Sequence, residues 1–469
     1  MALSQLQATL GTAVSRMLEV KRTPSAGIVA EAIESMQLLD GGREAYPRML
    51  MALGKAEKSV YLEVYAFAPE GVGERFVEEL GQAKLRGASV QVLIDGWGSA
   101  RGARAVASAL RSSGCTVRIY SRLLRLFTGH FGRNHRKILL IDDKVAFIGG
   151  INIGDENLDK GTRQGWADLA LEVHGTECAR LREMIRGKRY PTGDARLKIF
   201  LSGLGGGWRL RRRYLKAFAG AKRTISLAHG YFLPDRAIVR AIIAATRRGV
   251  LVRLLLAGQS DVPFSRAATR SLYYRFFAAG VLIHEWTESV LHAKVATVDD
   301  KCLLVGSFNL DPFSLANLEV LAEVTEPIVV HQGEEWIEGH IKRSPLLPSA
   351  VAVSPMQRWL VDPIGRVIAQ VADAAGRAII GRRRKFTAAG RRSQSNLTRL
   401  VRKTIIAVTG SSILGFGIAL IVLPGPAFVF IPLGLAILAT EFRWALHLII
   451  RLKICARAKL QSGRRTKSA

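Results

Sequence analysis

The sequence predicts an α/β protein made of two duplicated halves packed as a pseudo-dimer, followed by a C-terminal α-helical membrane hairpin. Three observations carry that prediction. One pattern occurs twice, as HRKILLIDDKVAFIGGIN from His135 to Asn152 and as HAKVATVDDKCLLVGSFN from His292 to Asn309. Strand-like and helix-like stretches alternate ahead of each copy. Residues 404–440 run for 37 positions without a charged side chain, enough apolar chain to enter a bilayer.

Both copies read His-x-Lys, four residues, Asp, six residues, Gly, two residues, Asn, with Gly150 in the first where the second has Ser307. Each reads as a strand, a tight Asp-Asp-Lys turn and a returning strand. Residues i and i+2 of a strand share a face, so His135 and Lys137 point together, as do His292 and Lys294. One copy offers a nucleophile and a cation but no second acid–base group. Two copies brought together give two imidazoles, two ammoniums and two asparagine amides around one cleft. Phosphodiester transfer needs a nucleophile, a proton donor for the leaving alkoxide and positive charge on the non-bridging oxygens. The lysines supply that charge, so the pattern calls for no metal and no other cofactor. Asn152, Asn309 and Ser307 can each donate a hydrogen bond to a phosphate oxygen, and Gly150 cannot. Asp142 and Asp299 belong to the motif, but their place in the turn assigns them backbone hydrogen bonds rather than acid catalysis. A nucleophilic imidazole must be neutral, and a carboxylate on its other nitrogen holds the required tautomer. Asp168, in GWADLALEV, is the first-half candidate for that carboxylate.

The doubled pattern resembles the phospholipase D superfamily signature His-x-Lys-x4-Asp-x6-Gly-Ser-x-Asn. YLEVYAF at Tyr61–Phe67, the GGIN ending of the first copy, GYFLPDR at 230–236 and GSFNLDPFS at 306–314 are similar to bacterial cardiolipin synthases. The resemblance spans roughly residues 30 to 345. It implies two phospholipase D-type α/β/α halves and a site in which one histidine becomes a phosphatidyl-histidine while the other protonates the departing alcohol. It also implies that Glu319, in NLEV, orients a histidine. We take His135 as nucleophile and His292 as acid, then base. The near symmetry of the two copies leaves the reverse assignment open.

In chain order, Leu6, Leu10, Val14 and Leu18 stand at helical spacing in an N-terminal extension, residues 1–30, that lacks the form of a secretory signal. The first half, 31–190, reads as a helix near Ala45–Lys58, a strand Ser59–Phe67, a helix near Gly73–Arg86, a strand Val90–Asp95, a helix Arg101–Ser113 and a strand Thr116–Tyr120. Gly87 stands where a helix C-terminal glycine belongs. Tyr120–Arg136 mixes leucines with arginines. It reads either as a packed loop or as a basic amphipathic lip that touches lipid. The second half, 191–345, repeats the plan with the strand Thr224–Leu227, the helix Ala237–Arg248 and the strand Leu251–Ala257. Arg86-Gly87 shortly before SVQVLIDG is echoed by Arg248-Gly249 shortly before LVRLLLAG, and the two motifs are offset by 157 residues. That is duplication at domain scale, too long a period for a solenoid.

Residues 346–403 read as a basic linker, with nine basic residues and no acid from Arg382 to Lys403. A membrane hairpin and basic amphipathic tail follow at 404–460. The hairpin breaks at Pro424-Gly425-Pro426, and basic clusters at both ends put both ends in the cytoplasm. This region resembles the small membrane domain named for a Pro-Gly-Pro-Gly-Trp motif, with PGPAF here.

Lys plus Arg outnumber Asp plus Glu by 68 to 38, a formal charge of +30, which calls for a polyanionic partner. Four widely spaced cysteines suit free thiols in a reducing compartment. The function expected is a membrane-bound phosphatidyltransferase of the bacterial inner membrane, its catalytic halves facing the cytoplasm. It would move a phosphatidyl group from phosphatidylglycerol to a second phospholipid head group. Its partners would be that phospholipid and an anionic membrane surface, not nucleic acid. A hydrolase of the same fold shares the covalent intermediate. A nuclease fits the charge, but the small nucleases of the superfamily carry one motif per chain, and the hairpin argues for lipid. Two intact motifs argue against a non-enzymatic tether.

Overall fold

The computed structural model describes residues 33–100, 102–120, 132–188 and 196–348, with isolated positions between 407 and 448. The expected N-terminal helix, residues 121–131 of the Tyr120–Arg136 segment, the 190/191 boundary, the linker beyond residue 348 and nearly all of the hairpin and tail lie outside the described residues.

The first half contains β1 (Ile33–Asp40), α1 (Gly41–Gly54), β2 (Ser59–Val64), α2 (Val72–Leu85), β3 (Ser89–Asp95), α3 (Ala103–Ser112) and β4 (Thr116–Tyr120). The hairpin β5 (Ile138–Ile141) and β6 (Val145–Gly149) follows, then β7 (Leu169–Gly175) and α4 (Thr176–Ile185). The second half runs β8 (Leu197–Leu201), α5 (Trp208–Gly220), β9 (Thr224–His229), α6 (Arg236–Arg247), β10 (Leu251–Ala257), α7 (Pro263–Arg270), α8 (Tyr273–Phe277) and β11 (Leu282–Trp286). It closes with β12 (Lys294–Val298), β13 (Cys302–Gly306), β14 (Val320–Val324) and α9 (Pro327–Lys342).

Two seven-stranded sheets result, ordered β1-β7-β6-β5-β2-β3-β4 and β8-β14-β13-β12-β9-β10-β11. The orders correspond strand for strand. In the first sheet β2, β3 and β4 are parallel, in the second β9, β10 and β11, and the remaining pairings are antiparallel. Because successive side chains point to opposite faces, β5 sends Leu139 and Ile141 to one core and Ile138 and Leu140 to another. Its unbroken apolar run reflects burial on both faces. The outer core of the first sheet takes Leu50 and Leu53 of α1 and Phe76 of α2. The outer core of the second takes Tyr214 and Phe218 of α5 and Ile242 of α6. Between the sheets, Ile138, Ile148 and Leu171 meet Val295, Val305 and Val320, flanked by Leu181 of α4 and Ile337 of α9. The halves thus share a core as a pseudo-dimer.

Several expected boundaries shift. The helix expected over Ala45–Lys58 starts at Gly41, whose φ of 63° turns the chain out of β1, and ends at Gly54. The strand expected to reach Phe67 stops at Val64, because side chains then replace the ladder: Ala66 N donates to Asn152 Oδ1 and Phe67 N to Ser99 Oγ. The helix expected from Arg101 begins at Ala103. Gly87 does follow α2 in a left-handed conformation, with Ala88 N bonded to Ala83 O and Gly87 N to Lys84 O.

Candidate active site

Each motif turns on two consecutive aspartates with positive φ, 52° and 58° at Asp142 and Asp143, 56° and 53° at Asp299 and Asp300. Positive φ at both central residues, closed by Lys144 N to Ile141 O and by Lys301 N to Val298 O, is the mark of a type I′ turn, and Asp tolerates it better than most residues. The carboxylate of Asp142 accepts from the backbone N–H groups of Glu57, Lys58 and Ser59. Asp299 does the same for Lys222, Arg223 and Thr224. Both therefore sit at the far end of the hairpin, tying it to the start of the neighbouring strand, away from the histidines.

The histidines lie at the other end. The expectation that they stand on the hairpin strand needs correction: His135 and Lys137 precede β5, and His292 precedes β12. The reason is that this stretch bonds to the opposite half. Leu318 N donates to Arg133 O and His135 N to Leu318 O, both at 2.9 Å. In mirror fashion Ala167 N donates to Val290 O at 2.9 Å and His292 N to Ala167 O at 2.8 Å. Leu318 and Ala167 each precede a candidate carboxylate. The two bridges consequently deliver each carboxylate to the histidine of the other half. His135 Nδ1 meets Glu319 Oε2 at 3.0 Å and the Ser307 carbonyl at 3.2 Å. His292 Nδ1 meets Asp168 Oδ2 at 2.6 Å. A carboxylate accepts, so each Nδ1 carries the proton and each Nε2 keeps its lone pair.

Lys137 Nζ donates to the carbonyl of His135 at 3.0 Å, and Lys294 Nζ donates to that of His292. Ser307 Oγ donates to Glu319 Oε2 at 2.5 Å. Asn152 Oδ1 accepts from Ala66 N, whereas Asn309 Oδ1 is buried with no partner among the described residues. His135, Lys137, Asn152, Asp168, His292, Lys294, Ser307, Asn309 and Glu319 are each no more than 8% exposed.

Burial sets the electrostatics. It holds the His135 imidazole below its usual value, against the raising effect of Glu319. Burial and the Lys294 charge push His292 down to about 4, although Asp168 opposes them. Burial, then Lys294, pushes Lys137 down to about 7, and burial also lowers Lys294. Near pH 7 both imidazoles are neutral, and an entering anion favours the charged form of Lys137.

Sequence reasoning missed several neighbours. The Tyr65 ring packs 4.8 Å from His135 and 5.1 Å from Lys137 Nζ. Tyr231 stands 5.7 Å from His292 and 5.6 Å from Lys294 Nζ, and Trp166 lies 5.2 Å from His292. Arg136 spans the halves, paired with Glu63 at 3.5 Å and donating to Ser202 O at 2.5 Å. The signals were present in YLEVYAF, GYFLPDR and GWADLALEV, but spacing alone gives an aromatic ring no partner.

The fold and the comparisons define the class: a duplicated α/β enzyme of the phospholipase D type. A family model described as "Cardiolipin synthase, PLD-like domain" matches residues 49–179 and 214–341, and the chain belongs to that family. Cardiolipin synthase B of Salmonella typhi is 35% identical over 316 residues, covering 61% of this chain and 75% of that protein. Cardiolipin synthase B of Escherichia coli (strain K12) is 32% identical over 315 residues, with 61% and 75% covered. The solved structure of phosphatidylserine synthase from Haemophilus influenzae Rd KW20 matches with a TM-score of 0.59 at 14% identity, covering 74% of this chain and 95% of that one. That likeness is one of fold. A second family model, "Putative transmembrane protein (PGPGW)", matches residues 403–454. With the relatives above, it marks the chain as a membrane protein. Among the described residues no helix is long and apolar enough to cross a membrane, and the 404–440 stretch lies almost wholly outside them.

Proposed function

We propose that the protein is a membrane-bound phosphatidyltransferase that moves a phosphatidyl group from phosphatidylglycerol to the head-group hydroxyl of a second phospholipid, making cardiolipin when the acceptor is phosphatidylglycerol. The single observation that carries this reading is the crossed clamp, in which each imidazole is held at Nδ1 by a carboxylate of the other half, which leaves the lone pair on Nε2. One cleft then contains both a nucleophile and an acid–base group. His135 Nε2 attacks phosphorus, and the phosphorus–oxygen bond to glycerol breaks. Glycerol leaves with a proton from His292, whose charged form the bound phosphodiester anion favours. Lys137, Lys294, Asn152 and Asn309 hold the non-bridging oxygens, and charge developing there is stabilised without solvent reorganisation; the Ser307 hydroxyl, expected to join them, is committed to Glu319 instead. Neutral His292 next takes the proton of the acceptor hydroxyl. The resulting oxygen attacks the phosphatidyl-histidine, and His135 is released. The tethered apolar segment keeps the cleft at the cytoplasmic face of the bacterial inner membrane, where basic flanks meet anionic lipid.

Purified full-length protein with labelled phosphatidylglycerol, followed by mass analysis, tests the reading. Cardiolipin plus glycerol is expected. Phosphatidic acid plus glycerol as the sole products would make the enzyme a hydrolase. In isolated membranes the full chain should remain in the pellet after a carbonate wash. Complete extraction would overturn the membrane placement.

A further inference from the structure

His229 is the last residue of β9 and is fully buried. It pairs across the antiparallel ladder with Lys294, and directly opposed residues share a face of the sheet. Its ring lies edge-on to Tyr214 at 5.8 Å and beside Phe232 at 6.4 Å. Neither Nδ1 nor Nε2 has a hydrogen-bond partner among the described residues. Burial, then the Lys294 charge, pushes the imidazole down to about 3, so the ring is neutral and one nitrogen carries a lone pair.

The first half supplies an internal control. Glu63 pairs with Ile138, the residue after Lys137, so Val64 stands toward Lys137 as His229 stands toward Lys294. Val64 and Lys137 line a mostly apolar cavity of about 20 Å³ with Met49, Leu62 and Phe76. The fold therefore needs no polar group at this register. A buried imidazole with both nitrogens unpaired weakens folding, so His229 has another use. Its charged neighbour is Lys294. The ammonium of Lys294 has three N–H donors, one of them engaged with the His292 carbonyl. The carboxylates in its field are Asp168, Glu319, Asp261 and Asp311.

We propose that His229 is a positioning residue for Lys294: when a phosphate group binds, the ring nitrogen that is unpaired in this structure accepts a hydrogen bond from the ammonium and fixes that cation toward the phosphate oxygens, a support Lys137 lacks. The inference rests on the reading of Lys294 as a phosphate-binding cation. It makes the two lysines inequivalent, with the second half carrying the steadier charge.

The test uses the full-length enzyme. His229→Val, which gives β9 the residue found at the matching place in β2, should leave thermal stability equal or raised. It should lower kcat/KM for phosphatidylglycerol in mixed micelles about tenfold and move the alkaline limb of the rate profile to lower pH, because an ammonium stripped of its acceptor loses its proton more easily. His229→Gln keeps an acceptor and does not titrate, so it should recover most of the rate and restore the limb. Thermal stabilisation by inorganic phosphate, which needs the cation but no lipid chemistry, should fall in His229→Val alone. A His229→Val enzyme with wild-type kinetics and limb overturns the proposal, as does a His229→Gln enzyme equally impaired. Should His229→Val not fold, His229→Ala replaces it under the same criteria. If the wild type transfers no phosphatidyl group but the phosphate difference persists, the transferase reading fails and the role of His229 stands.

Discussion

The first half joins a glycine to an aspartate where the second joins a serine to a glutamate. A Cβ at Gly150 would collide with the Asp168 carboxylate. In the second half the longer Glu319 leaves room for Ser307, whose hydroxyl donates to it at 2.5 Å. Both arrangements present one carboxylate oxygen to the opposite histidine, at 2.6 Å from Asp168 and 3.0 Å from Glu319. The halves match in topology strand for strand, and they differ in how the carboxylate is buttressed. Glu319 belongs to a network with Ser307 and Asn317, whereas among the described residues Asp168 accepts from its neighbour Leu169 and from the histidine. Duplication preserved the imidazole–carboxylate link and let the parts around it diverge, which gives two similar sites the means to hold different roles.

The largest expected effect is at the histidines themselves. His135→Ala and His292→Ala should each remove turnover, and mass spectrometry of His292→Asn enzyme with phosphatidylglycerol should find the phosphatidyl adduct on His135. An adduct on His292 would exchange the roles of the halves. Asp168→Asn comes next, with a loss on the order of a thousandfold or more from misplacing the imidazole tautomer. Glu319→Gln should lose less, because the Ser307 carbonyl still accepts from His135 Nδ1. Equal losses would mean the buttressing is irrelevant. Gly150→Ser should lower activity about tenfold or more by driving Asp168 off its line, and overpacking should lower stability by about 1–3 kcal/mol. Ser307→Gly should be milder on both counts.

At the turns the halves should behave alike. Asp142→Ala and Asp299→Ala each strip an acceptor from three backbone N–H groups and should cost about 1–2 kcal/mol in thermal unfolding, with chemistry on detergent-dispersed lipid little changed. Backbone hydrogen bonds hold the pKa of each below 3.8 even against burial. A depressed carboxylate stabilises the fold above its unfolded value and ceases to as pH falls through the folded one. The stability difference between wild type and either variant should therefore be full above about pH 4 and shrink below it. A difference that persists undiminished at pH 2 would contradict the assignment. The smallest effect is none: EDTA should leave activity intact, because the lysines provide the phosphate-binding charge. Chelator inhibition reversed by a divalent ion would break the scheme.

Much of this molecule is local in origin and is legible in the chain. The repeat of His135–Asn152 at His292–Asn309 announced the duplication, because a hairpin keeps its turn residues and its period-two faces at fixed spacing. The helices and strands from α1 to β4 and from β9 to β10 followed from periodicity and from glycines such as Gly87. The 404–440 stretch announces its apolar length without any tertiary context. What spacing could not reveal is pairing across distance. Asp168 and Glu319 were nominated as histidine-orienting groups, but their exchange between halves depends on Ala167 bonding to Val290 and Leu318 to Arg133. Nothing in either segment encodes that partner alone. The edge strands β1, β8 and β11 and the helices α4, α5 and α7 to α9 went unread. The placement of Tyr65 and Tyr231 over the two lysines, and of an unpaired His229 opposite one of them, was likewise decided only in three dimensions. Strand register determines which side chains share a face, and register forms when the sheet assembles.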